Sequence, residues 1–168
     1  MKFSNLLMGL AGGFALGELY HQLQKKDLVD KVLADQSRGK TVLNVGAGTG
    51  RIGQITFLGD KKCDTNPVVP GVEYGDIRNL PYPDKSFDIV IASHVIEHLP
   101  PEDIPKAINE LYRVAREKIY VLIPNPIFLQ TWLYPNHRSV IINGKAYKNN
   151  PLLNLGLLGL ATALISKG

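Results

Sequence analysis

The stretch TVLNVGAGTGRIG, residues 41–53, decides the reading of this chain. Thr41 to Val45 is a short, mostly β-branched and aliphatic run interrupted only by Asn44, which reads as a buried strand. It opens directly into Gly46-Ala47-Gly48-Thr49-Gly50. Alternate glycines permit positive φ and let a ligand come close to the backbone. A short helix over residues 51–58 would then point its first amides at an anionic group of that ligand. A tight strand-to-helix turn without a ligand shares this start, but three alternate glycines after a buried strand favour a binding loop.

Outward from the loop, strand-like and helix-like runs alternate. KCDTN (62–66) and VEY (72–74) read as short strands, and FDIVIASH (87–94) as the strongest buried one. Pro101 to Arg116 carries Ile104, Ala107, Ile108, Leu111 and Val114 on one helical face, and KIYVLIP (118–124) reads as a further strand. This alternation predicts an α/β, Rossmann-like, mostly parallel sheet with helices on both faces. Before the loop, residues 3–19 and about 20–36 predict two successive helices. The second buries Leu23, Leu28, Val29, Val32 and Leu33 and ends at Ser37-Arg38-Gly39. After Pro124 come a Pro/Asn-rich loop, a hairpin signal at Asn143-Gly144 inside SVIINGKAYK (139–148), and an apolar tail opened by Pro151. The expected organisation is one domain in three stretches: a helical segment (1–38), a cofactor-binding core (39–125), and a loop, hairpin and hydrophobic tail (126–168).

Length and composition fit one globular domain. There are 168 residues, 45% hydrophobic and 20% charged, enough to bury a core without staples. One cysteine, Cys63, excludes a disulfide framework and a cysteine-built zinc cluster. A net charge of +4, with no run of like charges and no interleaved aromatics, speaks against nucleic-acid binding. The uncharged ends, residues 3–17 and 149–166, are at or below the length that spans a bilayer. Lys2 before the first raises a signal peptide, but the glycine-rich stretch and the missing small-x-small site count against cleavage. Leucines on nearly every side of residues 152–165 call for a membrane surface or a homo-oligomer contact. The expected location is cytoplasmic, peripheral on the membrane if the tail meets lipid.

Two ligand classes share the glycine loop. Gly48-x-Gly50-x-x-Gly53 also satisfies a dinucleotide fingerprint, so a nicotinamide-dependent oxidoreductase stays open. The strand, however, ends before that fingerprint begins, and only 13 residues separate Gly50 from the next acidic strand-end position, Asp64. With its companions the loop resembles another family. TVLNVGAGTGRIG is similar to the first motif of class I S-adenosylmethionine-dependent methyltransferases, in their small-molecule, type 11-like branch. VEYGDIRNLPYPDKSFDIVIASHVIEHLP resembles the third and fourth motif regions, and NELYRVAREKIYVLIPNP the helix and fifth strand that follow. The resemblance covers roughly residues 39–125, about half the chain, with the motifs in order.

The resemblance implies a cofactor, S-adenosylmethionine, and places for it. Gly46, Gly48 and Gly50 would lie under its methionine portion, and Asp64 would accept from the ribose hydroxyls. Asp76 would accept from the adenine amine while Ile77 packs on the ring; Ser93 and His94 would line the crevice by the methyl group. Asn44 stands where the family usually has an acidic residue that helps hold the cofactor's amino group. Simpler roles compete: Asp64 and Asp76 could open turns, and Asp88 reads as structural. The connections between Gly50 and Val72 are short, so a fold that binds without turnover is a second reading.

A sulfonium donor is already activated, so the chemistry needs alignment more than a catalyst. The expected acceptor is a small or lipid-like molecule. For an oxygen or nitrogen acceptor His94 or His98 would serve as base. No metal-ligand spacing is evident. There is no Gly-x-Ser-x-Gly elbow and no base in sequence for Cys63, which leaves hydrolase and thiol chemistry unsupported.

Overall fold

The computed structural model describes residues 3–48, 57–127 and 129–150. The order along the chain is α1 (Phe3–Ser37), β1 (Val42–Val45), β2 (Lys61–Asp64), β3 (Glu73–Tyr74), β4 (Phe87–Ser93), α2 (Ile104–Val114), β5 (Ala115–Leu122), α3 (Leu129–Leu133), β6 (Ser139–Ile142) and β7 (Lys145–Lys148). Short 3-10 turns at Ile96–His98 and Pro101–Asp103 join β4 to α2. The sheet runs β3-β2-β1-β4-β5, all parallel, and β6-β7 is a separate antiparallel hairpin. The expected α/β, Rossmann-like architecture is what forms.

Strand alternation sorts the core onto two faces. Val42, Ile89, Ile91 and Leu122 meet Leu28, Val29 and Val32 of α1. Leu43, Val45, Val90 and Ala92 meet Ala107, Leu111 and Val114 of α2, whose spacing is a single helical stripe. β1 and β4 pair Val42 with Ile89 through Val45 with Ala92, so two fully buried strands form the middle of the sheet. Each aliphatic side chain buried there contributes about 1.5–3 kcal/mol relative to exposure.

Several boundaries differ from the sequence reading. Residues 3–37 form one helix, not two. Nothing between the apolar and polar halves breaks the i to i−4 ladder, since Gly12 and Gly13 weaken a helix without ending it. Leu28, Val29 and Val32 are buried as expected, but Leu23 and Leu33 are exposed, because only the 28–32 turn faces the sheet. The helix stops at Gly39, φ 78°, whose N–H bonds Gln36 O while Lys40 N bonds Asp35 O. α2 spans only Ile104–Val114, and β5 begins at once at Ala115, earlier than residue 118. The proposed helix at 51–58 lies largely outside the described residues, where only 57 and 58 are placed, as does the apolar tail from residue 151. The Asn143-Gly144 hairpin is present, with both residues at positive φ, 49° and 76°. No helix among the described residues is long and apolar enough to cross a membrane.

Polar anchors fix the elements to each other. Asp35, 2% exposed, takes hydrogen bonds from Arg38, from Lys118 Nζ at 3.2 Å and from Tyr120 OH at 3.0 Å, which ties the end of α1 to β5. Burial pushes its carboxyl up, yet the three donors together bring it below its ordinary value. Arg113 holds the loop before β4 against α2. It donates to Glu110, Asp84 and the carbonyls of Leu80 and Tyr82, all between 2.8 and 3.0 Å.

Asp88 plays the structural part expected of it. Its Oδ2 accepts from both the N–H and the hydroxyl of Thr41 at 2.8 Å, and Arg116 pairs with Oδ1. The Thr41 backbone bond, first, and then its hydroxyl and Arg116 hold the carboxyl at about 2, below the ordinary 3.8. A depressed carboxylate adds stability above its unfolded pKa and loses it as pH falls through the folded one. The acid-induced drop in melting temperature between pH 4 and about 2 is therefore expected to be smaller in Asp88→Asn than in wild type, while the variant melts lower at neutral pH. Thermal melts across that pH range check both expectations.

Candidate active site at the carboxyl ends of β1 and β4

The chain leaves β1 toward β2 on one side, and β4 lies on the other. That reversal makes a crevice at the carboxyl ends of the two strands, where open α/β sheets bind ligands. Gly46, Gly48 and His94 emerge there.

Gly46 and Gly48 adopt φ of 70° and 75°. The N–H groups of Gly46 and Ala47 both bond Cys63 O, at 2.8 and 3.1 Å, and Gly48 N bonds Asp64 Oδ2 at 2.7 Å. The two glycines differ in surroundings. A Cβ on Gly46 would lie 2.2 Å from Val95 Cγ2, whereas a Cβ on Gly48 would meet only Gly46 O at 4.0 Å. Gly46 therefore lets two strand ends pack, and Gly48 leaves open room beside the backbone among the described residues. Gly50 lies outside the described residues.

Asp64 does begin a turn: Oδ1 accepts from Asn66 N at 2.8 Å. Its two oxygens carry about four acceptor sites, so bonds to Gly48 and Asn66 leave capacity for a diol. The turn and a ribose-facing role are compatible. Asp76 is more fully engaged. Arg78 donates to it from its backbone N at 2.9 Å, from Nε at 2.9 and 3.1 Å and from Nη2 at 2.6 Å. Those Arg78 bonds hold the carboxyl below its ordinary range. Arg78 also reaches Asp103 at 2.9 Å, which fastens this loop to the start of α2. Ile77 is 4% exposed and packs in the core on the α2 side.

Asn44 is 1% exposed and donates to Leu58 O at 3.2 Å, bracing the connection after the loop. Ser93 is buried, with an Oγ that has no partner among the described residues. His94 is a non-glycine residue at φ 55°, locked by its N–H to Leu122 O at 2.8 Å. Such backbone placements cost about 1–3 kcal/mol and cluster at functional sites. Its Nδ1 lies 3.1 Å from Glu97 Oε1, and its Nε2 is buried without a partner among the described residues. The His21 ring from α1 lies 5.5 Å away, and burial, first among several causes, lowers its pKa. His98 is exposed and its Nδ1 lies 3.0 Å from Asn136 O. Cys63 is fully buried, and burial pushes its thiol up to about 11, the setting of an inert side chain.

The structure thus brings Gly46, Gly48, Asp64, Ser93 and His94 to one end of the sheet and adds groups the sequence reading missed. Glu97 was legible, three residues after His94 in an otherwise apolar stretch. Val95, as the partner of Gly46, and His137 carry no local signal.

Comparison with known proteins agrees with this geometry. A family model described as a methyltransferase domain matches residues 56–123. A solved S-adenosylmethionine-dependent methyltransferase from Archaeoglobus fulgidus superposes with a TM-score of 0.52 and 25% identity, covering 83% of this chain and 68% of that one. Over this region the chain is similar to S-adenosylmethionine-dependent methyltransferases. Among the proteins this chain is similar to is malonyl-[acyl-carrier protein] O-methyltransferase of Serratia marcescens, 30% identical over 107 residues, 55% of this chain and 41% of that protein. Another is the phthiotriol/phenolphthiotriol dimycocerosates methyltransferase of Mycobacterium leprae, 33% identical over 100 residues, 46% of this chain and 34% of that one. The chain spans less than half the length of the curated relatives it matches. The cofactor that goes with the family is S-adenosylmethionine.

Proposed function

We propose that this chain binds S-adenosylmethionine and transfers its methyl group to a small-molecule or lipid-like acceptor. The observation that carries this is the pair of left-handed glycines after β1, with open space at Gly48 and the Gly48 amide held by Asp64. Gly46, Gly48 and Gly50 take the methionine end of the cofactor, Asp64 the ribose, and Ile77 with Asp76 the adenine. Because Arg78 occupies most of the Asp76 carboxylate, the adenine amine competes with that ion pair rather than meeting a free acceptor. Ser93 stands at the end of β4 beside the crevice, with a buried hydroxyl that has no partner among the described residues.

When bound, the cofactor supplies an activated methyl group. The protein aligns an acceptor with it and manages the acceptor's proton. His94 has the setting of a base. With Nδ1–H donated to Glu97 Oε1, the ring presents the Nε2 lone pair to an acceptor hydroxyl or amine. Glu97 acts here as a positioning residue, fixing tautomer and ring plane. His98 offers a second base at the rim of the same loop.

An acceptor with a lipid-like body is supported by the relative from Mycobacterium leprae and by Phe14, Leu16, Leu19 and Leu23, which α1 leaves exposed. Such a surface suits a cytoplasmic protein resting on a membrane or on a second copy. One observation favours binding without turnover: Asn44, which occupies the position of the usual acidic residue, is spent on Leu58.

Calorimetry with S-adenosylmethionine, S-adenosylhomocysteine and NAD separates these readings. Binding of the first two, with methyl transfer to added acceptors, is the expected result; binding without transfer selects the non-catalytic reading. Binding of NAD alone would overturn the proposal. In Asp64→Asn, loss of a charged acceptor is expected to weaken S-adenosylhomocysteine by about 10–100-fold, equivalent to about 1.5–3 kcal/mol.

A further inference from the structure

Glu97, which positions His94, and His98 meet a second oriented imidazole, His137, beside the crevice. Glu97 is 2% exposed. Its Oε1 faces His94, but Oε2 is enclosed by protein and accepts no hydrogen bond among the described residues. His94 is its only ion-pair partner among those residues. A buried anionic oxygen left bare costs several kcal/mol by desolvation, on the order of a broken buried ion pair. Something positive belongs against it.

The loop before β6 delivers the complement. Arg138 N bonds Glu97 O at 2.8 Å, which fixes His137 beside the turn that carries Glu97 and His98. One ligand atom from each of Glu97, His98 and His137 lies within 4.8 Å of the other two. His98 Nδ1 lies 3.0 Å from Asn136 O, and His137 Nδ1 lies 2.9 Å from Thr131 O. A carbonyl only accepts, so each Nδ1 carries the proton and each Nε2 presents a lone pair. Donation of the far ring nitrogen to a backbone carbonyl is how metal-ligating histidines are oriented.

We propose that Glu97, His98 and His137 form a binding site for one divalent first-row transition-metal ion. Two imidazoles and one carboxylate suit zinc, cobalt or iron(II) better than magnesium or calcium, which prefer all-oxygen shells. Three protein ligands leave at least one position for water or a ligand oxygen. The site begins two residues after Val95, the side chain that abuts Gly46, so it adjoins in sequence the packing partner of the glycine loop. Use of that open position by an oxygen of the methyl acceptor rests on the methyltransferase reading; binding of the ion does not.

The test uses the full chain, without a histidine tag and stripped with chelator. Cobalt(II) chloride is titrated in while heat and visible absorption are recorded, and zinc chloride is then added as competitor. The expected result is one cobalt per chain with the absorption of a nitrogen- and oxygen-ligated ion, displaced by zinc. Glu97→Gln, which keeps the shape and the acceptor facing His94, and His98→Ala, at an exposed ring, are each expected to weaken cobalt by at least ~10-fold, the scale seen even for outer-shell changes. Circular dichroism confirms that both variants are folded. Failure of the wild-type chain to bind cobalt or zinc, or equal binding by wild type and both variants, overturns the site. S-adenosylhomocysteine affinity measured on the same metal-free samples reports separately on the cofactor reading.

Discussion

A Gly48→Val chain is expected to fold and to lose its affinity for S-adenosylhomocysteine by at least ~100-fold, or about 2.7 kcal/mol. The fold survives because nothing among the described residues crowds the position: the nearest described atom to a new Cβ is Gly46 O at 4.0 Å. What the substitution does cost is the left-handed backbone, φ 75°, roughly 1–2 kcal/mol for a residue with a Cβ. A domain stable by about 5–15 kcal/mol tolerates that loss. Binding does not tolerate it, since the branched side chain fills the space through which a ligand reaches the Gly48 backbone. Calorimetry gives the affinity and a thermal melt gives the fold. Wild-type affinity in a folded Gly48→Val protein would remove this loop from the site.

Gly46→Ala is expected to fail in the opposite way, through stability. Its Cβ would overlap Val95 at 2.2 Å, and the backbone sits at φ 70°. Left-handed strain of about 1–2 kcal/mol and overpacking of about 1–3 kcal/mol add to roughly 2–5 kcal/mol. For a chain of this size that is about 5–20 °C in melting temperature. Adding Val95→Ala to Gly46→Ala removes the overlap but not the strain, so the double variant is expected to melt above Gly46→Ala and below wild type. A Gly46→Ala protein that melts with wild type would show that the two strand ends do not meet at this glycine. Together the two glycines separate a packing role from a ligand role within one loop.

The neighbouring acidic positions show how local chemistry and tertiary contact divide the work. Asp64 can open its turn and still accept a diol, because a carboxylate has more acceptor sites than the turn consumes. Asp76 sits in a comparable sequence setting, yet Arg78, two residues on, wraps its carboxylate and carries the loop to Asp103 of the turn before α2. An arginine at that spacing in sequence does not say whether it turns back or points to solvent; the position of α2 does. A cofactor that needs the Asp76 carboxylate must displace part of that ion pair.

By itself the sequence determined the elements whose signal is periodic and whose burial is nearly complete. β1 and β4 are mostly apolar runs, α2 is a clean stripe at 107, 111 and 114, and the hairpin follows from Asn143-Gly144. The glycine loop was legible for the same reason: only glycine sits easily at φ near +70°. Tertiary structure decided what depends on partners far along the chain. The face of α1 that is buried is set by where the sheet ends, which exposes Leu23 and Leu33 despite their apolar character. Phe14, Leu16 and Leu19 of α1 stay exposed because the described sheet offers them no surface. The grouping of Glu97 and His98 with His137, 39 positions beyond His98, exists only because the loop before β6 folds back onto the end of β4. Local sequence sets backbone preference and the spacing of side chains on a face; which distant groups share a low-dielectric cavity is set by how those faces pack.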